Sequence, residues 1–242
     1  IKNLKVWIEW TDVIKWINMK IEEWKNYLIL WKNWSWKSSF VNFLMWNPKY
    51  ENISWNIDID GKKLMDLSVE NRSKNWLFLS FQNIPEIVWV NVWEYLRIIY
   101  NNHLKFKSSD TMLLSPFIFK RFIKKYLEKL NIPENFLSRD LNVWFSGWEK
   151  RKMELLQALL LDPKYMIFDE IDSWLDIDAF KTVASLLPSL RTDKNTLILI
   201  THNFQIQQFL SFDYIYVFWN GKIVKQWWKE ILKEIEDIWF NK

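Results

Sequence analysis

Glycine is almost missing from this chain, and its absence limits the folds that the chain can adopt. The 242 residues include three glycines and nineteen tryptophans, whereas soluble proteins carry glycine at about 7%. Tight turns and close approaches between backbone and ligand favour glycine, because it adopts positive φ angles without steric cost. Any fold that depends on such turns must therefore place other residues at them.

One short run has tryptophan at positions where glycine is expected. Residues 31–38 read W-K-N-W-S-W-K-S, which becomes the phosphate-binding pattern G-x-x-x-x-G-K-[ST] when the three tryptophans are replaced by glycine. The same replacement turns Phe145–Glu149 into F-S-G-G-E and Ser173–Asp176 into S-G-L-D. One rule that completes three separate motifs indicates that these tryptophans occupy glycine positions.

We interpret the tryptophans as UGA codons translated as tryptophan, in a gene from a bacterial lineage that reads UGA as glycine. The composition agrees, because alanine is scarce while lysine, asparagine, isoleucine and phenylalanine abound, as in proteins of AT-rich genomes. The alternative is a protein with genuine tryptophans and a degenerate loop. Such a loop would not bind nucleotide, because the indoles of Trp34 and Trp36 would fill the space of the β-phosphate.

Composition excludes several functional classes. The chain has no cysteine, which excludes disulfides and thiolate metal sites within it. Its net charge of +4 comes from interleaved acids and bases, so we expect no nucleic-acid partner. No apolar run approaches the roughly 18 residues that span a bilayer, so we expect no direct membrane insertion. The opening residues show no signal-peptide pattern, and a cytoplasmic location is expected.

Strand-like patterns surround one helical block. A helix is expected from about residue 37 to residue 44, directly after the phosphate-binding loop. The pair Asn220-Gly221 predicts a hairpin between two apolar runs. The predicted apolar strands around the block are Asn26–Trp31, Tyr165–Asp169 and Thr196–Thr201.

The middle of the chain reads as helical. Residues 90–161 have few strand signals, and Ser115-Pro116 is typical of a helix start. We therefore predict a single α/β domain over residues 1–242. Its nucleotide-binding core covers about residues 1–82 and 162–242, and an inserted helical subdomain covers about residues 83–161.

The loop at residues 31–38, with glycine in place of its three tryptophans, predicts an ATP site. In such a loop, consecutive backbone N–H groups form a nest for a polyphosphate ahead of a helix N-terminus. The ammonium of Lys37 is expected to bridge the β- and γ-phosphates, and the hydroxyl of Ser38 to coordinate Mg²⁺. The alternative is an unrelated helix that starts at Lys-Ser-Ser. The residues expected to contact ATP in the loop are Trp31, Lys32, Asn33, Trp34, Ser35, Trp36, Lys37, Ser38 and Ser39.

Polar residues also follow three other apolar strands. Asp169 is expected to hold Mg²⁺, and Glu170 to act as the general base toward the attacking water. Gln82 is expected to contact Mg²⁺ or the same water. His202 stands where a γ-phosphate sensor is expected, directly after the strand that ends at Thr201. Each side chain also has a structural interpretation, as part of a solvated turn or as a packed histidine.

These motifs occur in the order found in ABC-type ATPases, and the chain resembles that family over essentially its whole length. Within the family it most resembles the SufC-type ATPases of the Suf iron–sulfur cluster assembly system. Residues 143–157 continue from the signature F-S-G-W-E as those ATPases do, and residues 169–179 match their pattern D-E-x-D-S-G-L-D-I-D-A. Transporter ATPases tend to have Pro-Thr where Ile171-Asp172 stand.

The resemblance implies a P-loop NTPase core of ABC type with an antiparallel β segment, which hydrolyses ATP with Mg²⁺. It also implies an ATP-dependent homodimer formed head to tail. In that dimer Ser146, Gly147, Trp148 and Glu149 would cap the ATP held by the other subunit, and Asp176 would couple the two sites. The implied partners are SufB- and SufD-like scaffold proteins. Two alternatives are the ATPase subunit of a membrane transporter and, if the tryptophans are literal, a nucleotide-free interaction module.

The departures from the family are all tryptophans. Indole side chains at tight-turn positions with positive φ are expected to add strain of order 1–3 kcal/mol each. Besides the motif tryptophans, which include Trp144 and Trp174, the tryptophans at positions where the family tends to have glycine are Trp16, Trp24, Trp46, Trp76, Trp89, Trp227 and Trp239.

Overall fold

The computed structural model describes residues 1–8, 11–31, 41, 44–45, 51–75, 77–80, 83–173 and 175–228. The chain divides into two compact units. The first unit comprises Ile1–Gln82, Lys164–Ile171 and Thr192–Lys242, and the second comprises Asn83–Pro163 and Asp172–Arg191. Residues 172–191, which the sequence analysis assigned to the core, thus belong to the second unit.

The first unit is built mainly from strands. It contains the α-helix α1 (Val69–Asn75), and short 3-10 helices lie at Leu64–Asp66 and Phe204–Gln208. Its strands are β1 (Lys2–Ile8), β2 (Thr11–Ile17), β3 (Asn26–Trp31), β4 (Glu51–Asn56), β5 (Asp58–Ile59), β6 (Lys62–Lys63), β7 (Leu77–Ser80), β10 (Tyr165–Asp169), β11 (Thr196–Thr201), β12 (Tyr214–Trp219) and β13 (Lys222–Trp228).

Six of these strands form the central sheet, in the order β13-β12-β3-β11-β10-β7. All neighbours run parallel except β13, which is antiparallel to β12. The predicted strands Tyr165–Asp169 and Thr196–Thr201 are confirmed at these bounds. Both consist entirely of buried residues, which is why they read as continuous apolar runs rather than as alternating ones.

Turns join the antiparallel parts of the first unit. The predicted hairpin between β12 and β13 is confirmed, with φ angles of 48° at Asn220 and 76° at Gly221. Two residues with positive φ match the right-handed twist of the flanking strands. A separate sheet has the order β2-β1-β4 and is antiparallel throughout, and β5 pairs with β6. The predicted antiparallel segment is therefore present beside the parallel sheet.

The second unit is mainly helical. It contains two short 3-10 helices, Glu134–Ser138 and Leu187–Leu190. Its helices are α2 (Val92–Lys107), α3 (Pro116–Lys129), α4 (Gly147–Leu161) and α5 (Ile177–Leu186), and its strands are β8 (Ile87–Asn91) and β9 (Asp140–Leu141).

The predicted helix start at Ser115-Pro116 is confirmed. The hydroxyl of Ser115 accepts a hydrogen bond from the backbone N–H of Ile118 at 3.4 Å, and Pro116 occupies the first turn of α3. The stretch 90–161, expected to be helical with few strand signals, also contains the two-residue strand β9, which pairs with β8. No helix among the described residues is long and apolar enough to cross a membrane.

Candidate functional site

Parallel strands of the first unit end side by side at one edge of the central sheet. In register, Asp169 lies opposite Ile200 and Thr201 lies opposite Leu30. Open α/β sheets bind ligands beyond the carboxyl ends of their strands. Asp169 and Glu170 stand at the end of β10, and His202 follows β11 at this edge; the predicted site residues 32–39 and Gln82 come after β3 and β7 in the sequence.

The phosphate-binding loop lies mostly outside the described residues. Trp31 is the last residue of β3, which places the start of the loop at the carboxyl edge. Of the helix predicted after the loop, Val41 and Leu44 are described, and both are helical and buried. The site residues that lie outside the described part of the chain are Lys32, Asn33, Trp34, Ser35, Trp36, Lys37, Ser38, Ser39 and Gln82.

The two carboxylates at the end of β10 are both buried. Asp169 is the last residue of the strand and is 3% exposed. Glu170 follows it with a φ angle of 50°, and its backbone N–H donates a hydrogen bond to the carbonyl of Ile200 at 2.8 Å. The backbone turn that carries Glu170 is thereby fixed to the neighbouring strand β11.

His202 stands beside Glu170 within the first unit. The Nδ1 atom of His202 lies 3.9 Å from Oε1 of Glu170, which is longer than a hydrogen bond and within the range of an ion pair when the imidazole is protonated. The His202 side chain is 60% exposed and that of Glu170 is 10% exposed. The hydroxyl of Thr201 accepts a hydrogen bond from the N–H of Asn203 at 2.8 Å, which fixes the turn that presents the imidazole.

The donor set at this edge fits a magnesium ion better than a softer metal. Carboxylate, hydroxyl and amide oxygens are hard ligands, and Mg²⁺ binds through one or two carboxylates together with substrate phosphates and water. Among the described residues no group of three or more His, Cys, Asp or Glu residues could hold a metal. Asp169 supplies a carboxylate at this edge, which is a ligand type that Mg²⁺ accepts.

In the second unit, the signature segment begins helix α4. Ser146 is its N-cap, and the carboxylate of Glu149 accepts a hydrogen bond from the backbone N–H of Ser146 at 2.7 Å. This contact is characteristic of a capping box and sets the direction in which the chain enters the helix. The positive end of the helix dipole therefore lies at Ser146 and Gly147, where it favours an anion.

Lys152 packs against Trp148, a residue of the signature segment. Its Nζ atom donates a hydrogen bond to the carbonyl of Asn131 at 2.9 Å and lies 4.9 Å from the centre of the Trp148 ring. Burial lowers the pKa of the Lys152 ammonium, while the carboxylate of Glu149 acts in the opposite direction. If residue 148 is glycine in the native protein, the ring contact disappears and the hydrogen bond to Asn131 remains.

Polar residues that were not predicted from the sequence anchor α4. The guanidinium of Arg151 is 2.8 Å from Oε2 of Glu154, and both side chains are buried. One turn further on, the hydroxyl of Tyr95 on α2 donates a hydrogen bond to Gln157 at 3.2 Å. The spacing Arg-x-x-Glu on a helix was the available signal, since residues three apart lie on the same face.

Asp176 has a structural contact that the sequence analysis did not anticipate. Its carboxylate accepts a hydrogen bond from the backbone N–H of Ala179 at 2.7 Å and so caps the N-terminus of α5. An aspartate directly before a helical pattern is a strong capping signal. Trp174, in the same S-W-L-D motif, lies outside the described residues.

Four of the tryptophans adopt backbone angles that suit glycine. Among the described residues other than Gly, Asn and Asp, five have a positive φ, and the fifth is Glu170. A bulky side chain in this region of φ is a genuine outlier. The four tryptophans are Trp16 (55°), Trp24 (63°), Trp89 (66°) and Trp144 (58°), each named above as a departure from the family. Trp46, Trp76 and Trp239 lie outside the described residues.

Comparison with known proteins places these features in one family. The chain is 37% identical over 236 residues to "Probable ATP-dependent transporter ycf16" of Cyanophora paradoxa, covering 98% of this chain and 90% of the relative. It is 33% identical over 237 residues to "Probable ATP-dependent transporter SufC" of Escherichia coli (strain K12), covering 98% and 95% respectively. No protein-family model matches the chain.

Solved structures agree on the fold. A dimeric ATP-binding cassette in a post-hydrolysis state, bound to ADP and Pi, superposes with a TM-score of 0.76 at 20% identity, covering 95% of this chain and 97% of the other. A nucleotide-free cassette from an ABC transporter superposes with a TM-score of 0.75 at 18% identity, covering 96% and 92%. At this identity the superpositions establish the α/β cassette fold alone.

Proposed function

The chain belongs to the ABC-type family of ATP-hydrolysing cassettes, and we propose that it drives conformational change in an iron–sulfur cluster assembly scaffold of SufB- and SufD-like proteins. The observation that carries this proposal is the run D-E-I-D-S-W-L-D-I-D-A at residues 169–179, which matches the SufC pattern rather than that of transporters. The chain itself has no cysteine. Because iron–sulfur clusters are held by thiolates, the role of this subunit would be mechanical.

In the proposed reaction, Glu170 is the general base. Its carboxylate is nearly buried, follows Asp169 at the carboxyl edge of the sheet, and is fixed through its backbone to Ile200. A carboxylate in this position can accept the proton of a water that attacks the γ-phosphate. His202, 3.9 Å from Glu170, would orient that carboxylate and contact the phosphate as the bond breaks.

The same edge would bind the nucleotide. Lys37 would neutralise the β- and γ-phosphates, while Asp169, Ser38 and Gln82 would hold Mg²⁺ together with the phosphates. Bound Mg²⁺ supplies positive charge against the charge that develops on the transferring phosphoryl group. The chain's own contribution is to position the phosphates, the water and the proton acceptor, which accounts for most of the catalysis in phosphoryl transfer.

The second site of the reaction would come from another copy of the chain. The N-terminus of α4 exposes Ser146 and Gly147, and the positive end of the helix dipole there suits a phosphate. In a head-to-tail homodimer this end, with Trp148 and Glu149, would face the ATP on the other subunit. Asp176 would then couple the two sites. Binding of two ATP molecules would close the dimer, and hydrolysis would reopen it.

The proposed docking segment for the scaffold is residues 83–95, which open the second unit. Its strand β8 exposes two apolar side chains in succession, Ile87 and Val88. Exposed apolar residues that follow one another along a strand are typical of a surface that a partner covers. The segment begins directly after Gln82, so a movement at the nucleotide would be transmitted to it along the chain.

Contacts within the second unit hold this segment in place. The side chain of Asn142 donates a hydrogen bond to the carbonyl of Pro85 at 2.9 Å, and Lys150 forms an ion pair with Glu86 at 2.7 Å. Lys150 belongs to α4, the helix that begins with the signature. The docking segment and the signature are therefore tied to each other inside one unit, which suits coupling between dimer closure and scaffold movement.

The experiment is co-purification from the native host, where the tryptophan codons are read as the organism reads them. We expect the chain to co-purify with soluble scaffold subunits. The double substitution of Ile87→Ser and Val88→Ser should abolish the complex without lowering ATP hydrolysis by the isolated subunit. Val224→Ser is the matched control, because Val224 is half-exposed on β13 of the other unit. A complex that survives the double substitution contradicts the docking assignment.

The second candidate is the ATPase subunit of a membrane transporter, whose partner would dock near Gln82. The names of the two relatives described above favour it, since both are called probable ATP-dependent transporters. Recovery of the chain in the membrane fraction, bound to a permease, would support this candidate against the scaffold. Both candidate functions imply a cytoplasmic location, which we propose for this chain.

A further inference from the structure

The connection between α2 and α3 carries an exposed apolar surface that the proposed function does not use. We call residues 105–121, which include the end of α2 and the start of α3, the α2–α3 tip. Met112 and Phe117 are 85% and 80% exposed, and Phe106, Leu113 and Ile118 are also exposed. An apolar group of this size on a surface marks an interaction site.

The exposed position of these side chains is built into the fold. The side chain of Asn101 on α2 is buried and clamps the connection, since it donates to the carbonyl of Leu114 at 3.0 Å and accepts from the N–H of Leu114 at 2.9 Å. Ser115 then caps α3 through the N–H of Ile118. With both backbone groups of Leu114 fixed, Met112 and Leu113 on one side and Phe117 on the other project outward.

Positive charge surrounds this apolar surface. Lys105 and Lys107 end α2, and Lys120 and Arg121 lie in α3, whereas Asp110 is the only acid of the tip. Among the described residues none of the four cations forms an ion pair. Residues 92–132 contain eight Lys or Arg and three Asp or Glu, an excess larger than the +4 of the whole chain.

We propose that the α2–α3 tip binds an anionic lipid surface. Apolar side chains at a connection, with cations at the base on both sides, match the two layers of a membrane interface, in which anionic headgroups lie above acyl chains. A second copy of this chain would bring the same positive charge and would be repelled. The association is peripheral and reversible, since it rests on one small apolar group and a few cations.

The proposal is independent of the scaffold and of how the tryptophans are decoded. Residues 105–121 contain no tryptophan. The tip is also separate in sequence from the docking segment at residues 83–95. Loss of lipid binding therefore leaves the scaffold proposal intact, and loss of the scaffold complex leaves lipid binding intact.

The test is flotation of the full chain with vesicles of phosphatidylcholine, alone or mixed with phosphatidylglycerol. We expect binding to the mixed vesicles, little binding to phosphatidylcholine alone, and release by salt. The double substitution of Lys105→Gln and Lys107→Gln should weaken binding by about fivefold for each charge removed. The pair Lys181→Gln and Lys194→Gln, at exposed lysines elsewhere, is the matched charge control and should leave binding unchanged.

The apolar part of the tip needs its own variant. Phe117→Ser should abolish most of the binding, whereas Val69→Ser, at an exposed apolar residue that begins α1, should not. Thermal unfolding of both variants should match the parent, because both side chains are exposed. Absence of binding to anionic vesicles, or binding that Phe117→Ser does not change, overturns the proposal. A soluble protein partner that is lost with Phe117→Ser, without any vesicle binding, overturns it in favour of a protein site.

Discussion

The two units hold their candidate site residues by different means. In the first, Asp169 and Glu170 stand at the end of a buried strand whose neighbours come from distant parts of the chain. In the second, Ser146 and Asp176 begin helices, and each is fixed by a hydrogen bond that spans three residues. The first arrangement exists only when the sheet has assembled, whereas the second is local. Substitutions should therefore act globally in one unit and locally in the other.

The largest expected effect is on chemistry at the end of the assembled sheet. Glu170→Gln preserves the shape of the buried side chain but removes its ability to accept a proton. The measurement uses the glycine-restored protein, in which glycine replaces the tryptophans at the positions assigned to glycine. In it we expect hydrolysis to fall by about 10²–10⁴-fold, as for the loss of a general base. Binding of ATP and Mg²⁺ should remain, and the nucleotide-closed dimer should persist on a sizing column.

Two other substitutions make that result specific. Lys37→Ala should lose nucleotide affinity and the dimer together. Glu128→Gln, at an exposed carboxylate on α3, should leave hydrolysis at the parental rate. Parental hydrolysis by Glu170→Gln would show that the base has been assigned to the wrong residue.

The next effect tests whether the sheet responds as a whole. Ile200 is 1% exposed on β11, and its carbonyl holds the backbone of Glu170. Ile200→Ala should lower the free energy of unfolding by about 2–5 kcal/mol, because it opens a cavity in a packed core. Denaturant unfolding of the glycine-restored protein measures this, with exposed Ile177→Ala as the control. Destabilisation confined to the amides around β11 would contradict the global response.

A third prediction concerns backbone strain at a single residue of the second unit. Trp89 has a φ of 66° and is 92% exposed, whereas Trp93, four residues later, is helical and packs against the ammonium of Lys120 at 4.5 Å. Trp89→Gly in the chain with literal tryptophans should therefore stabilise it by about 1–3 kcal/mol. Trp93→Gly should destabilise it, since glycine weakens a helix by about 1 kcal/mol and the ring contact is lost. Changes in stability of the same sign for the two variants would contradict this distinction.

Peptide mass spectrometry decides the decoding directly. Protein from the native host should carry glycine at positions 31, 34 and 36 and at the positive-φ positions 16, 24, 89 and 144. Tryptophan at these positions in the native protein would contradict the hypothesis that UGA is read as glycine. It would also leave the nucleotide-free interaction module as the better interpretation.

The smallest expected effect is the loss of one helix cap. Asp176→Ala removes the carboxylate that accepts from the N–H of Ala179, which should cost about 1 kcal/mol. Hydrogen exchange should accelerate in the first turn of α5 and not in α4. Asp178→Ala, two residues later and exposed, is the control, because it leaves the cap in place. Faster exchange throughout the molecule would contradict the local character of this site.

Much of the fold could be predicted where the signal lies within a few residues. The strand Tyr165–Asp169 is a continuous apolar run, and Asn220-Gly221 has the backbone preferences of its turn, so both were found. The pairing of β8 with β9 was missed, because it joins segments about fifty residues apart and β9 is only two residues long. Pairings of this kind depend on tertiary contacts that no local pattern encodes.

The candidate site also contains some residues that local patterns predict and others that depend on tertiary packing. Asp169, Glu170 and His202 were predicted at one ATP site because each follows an apolar strand and stands in the order of the ATPase motifs, and the structure brings Glu170 and His202 to 3.9 Å. The buried pair of Arg151 and Glu154 was not foreseen. Two charged residues on a helix usually indicate a solvated face, and only the packing around α4 shows that both are buried.

The order of strands in the central sheet has a consequence for the nascent chain. β3 is made early, but its two neighbours, β11 and β12, lie near the end of the sequence. On the ribosome its apolar residues must therefore wait, without their final partners, while the whole second unit up to Arg191 emerges. Exposed strand edges in such intermediates are prone to aggregation. A slow stretch of translation before residue 196 would prolong that exposure.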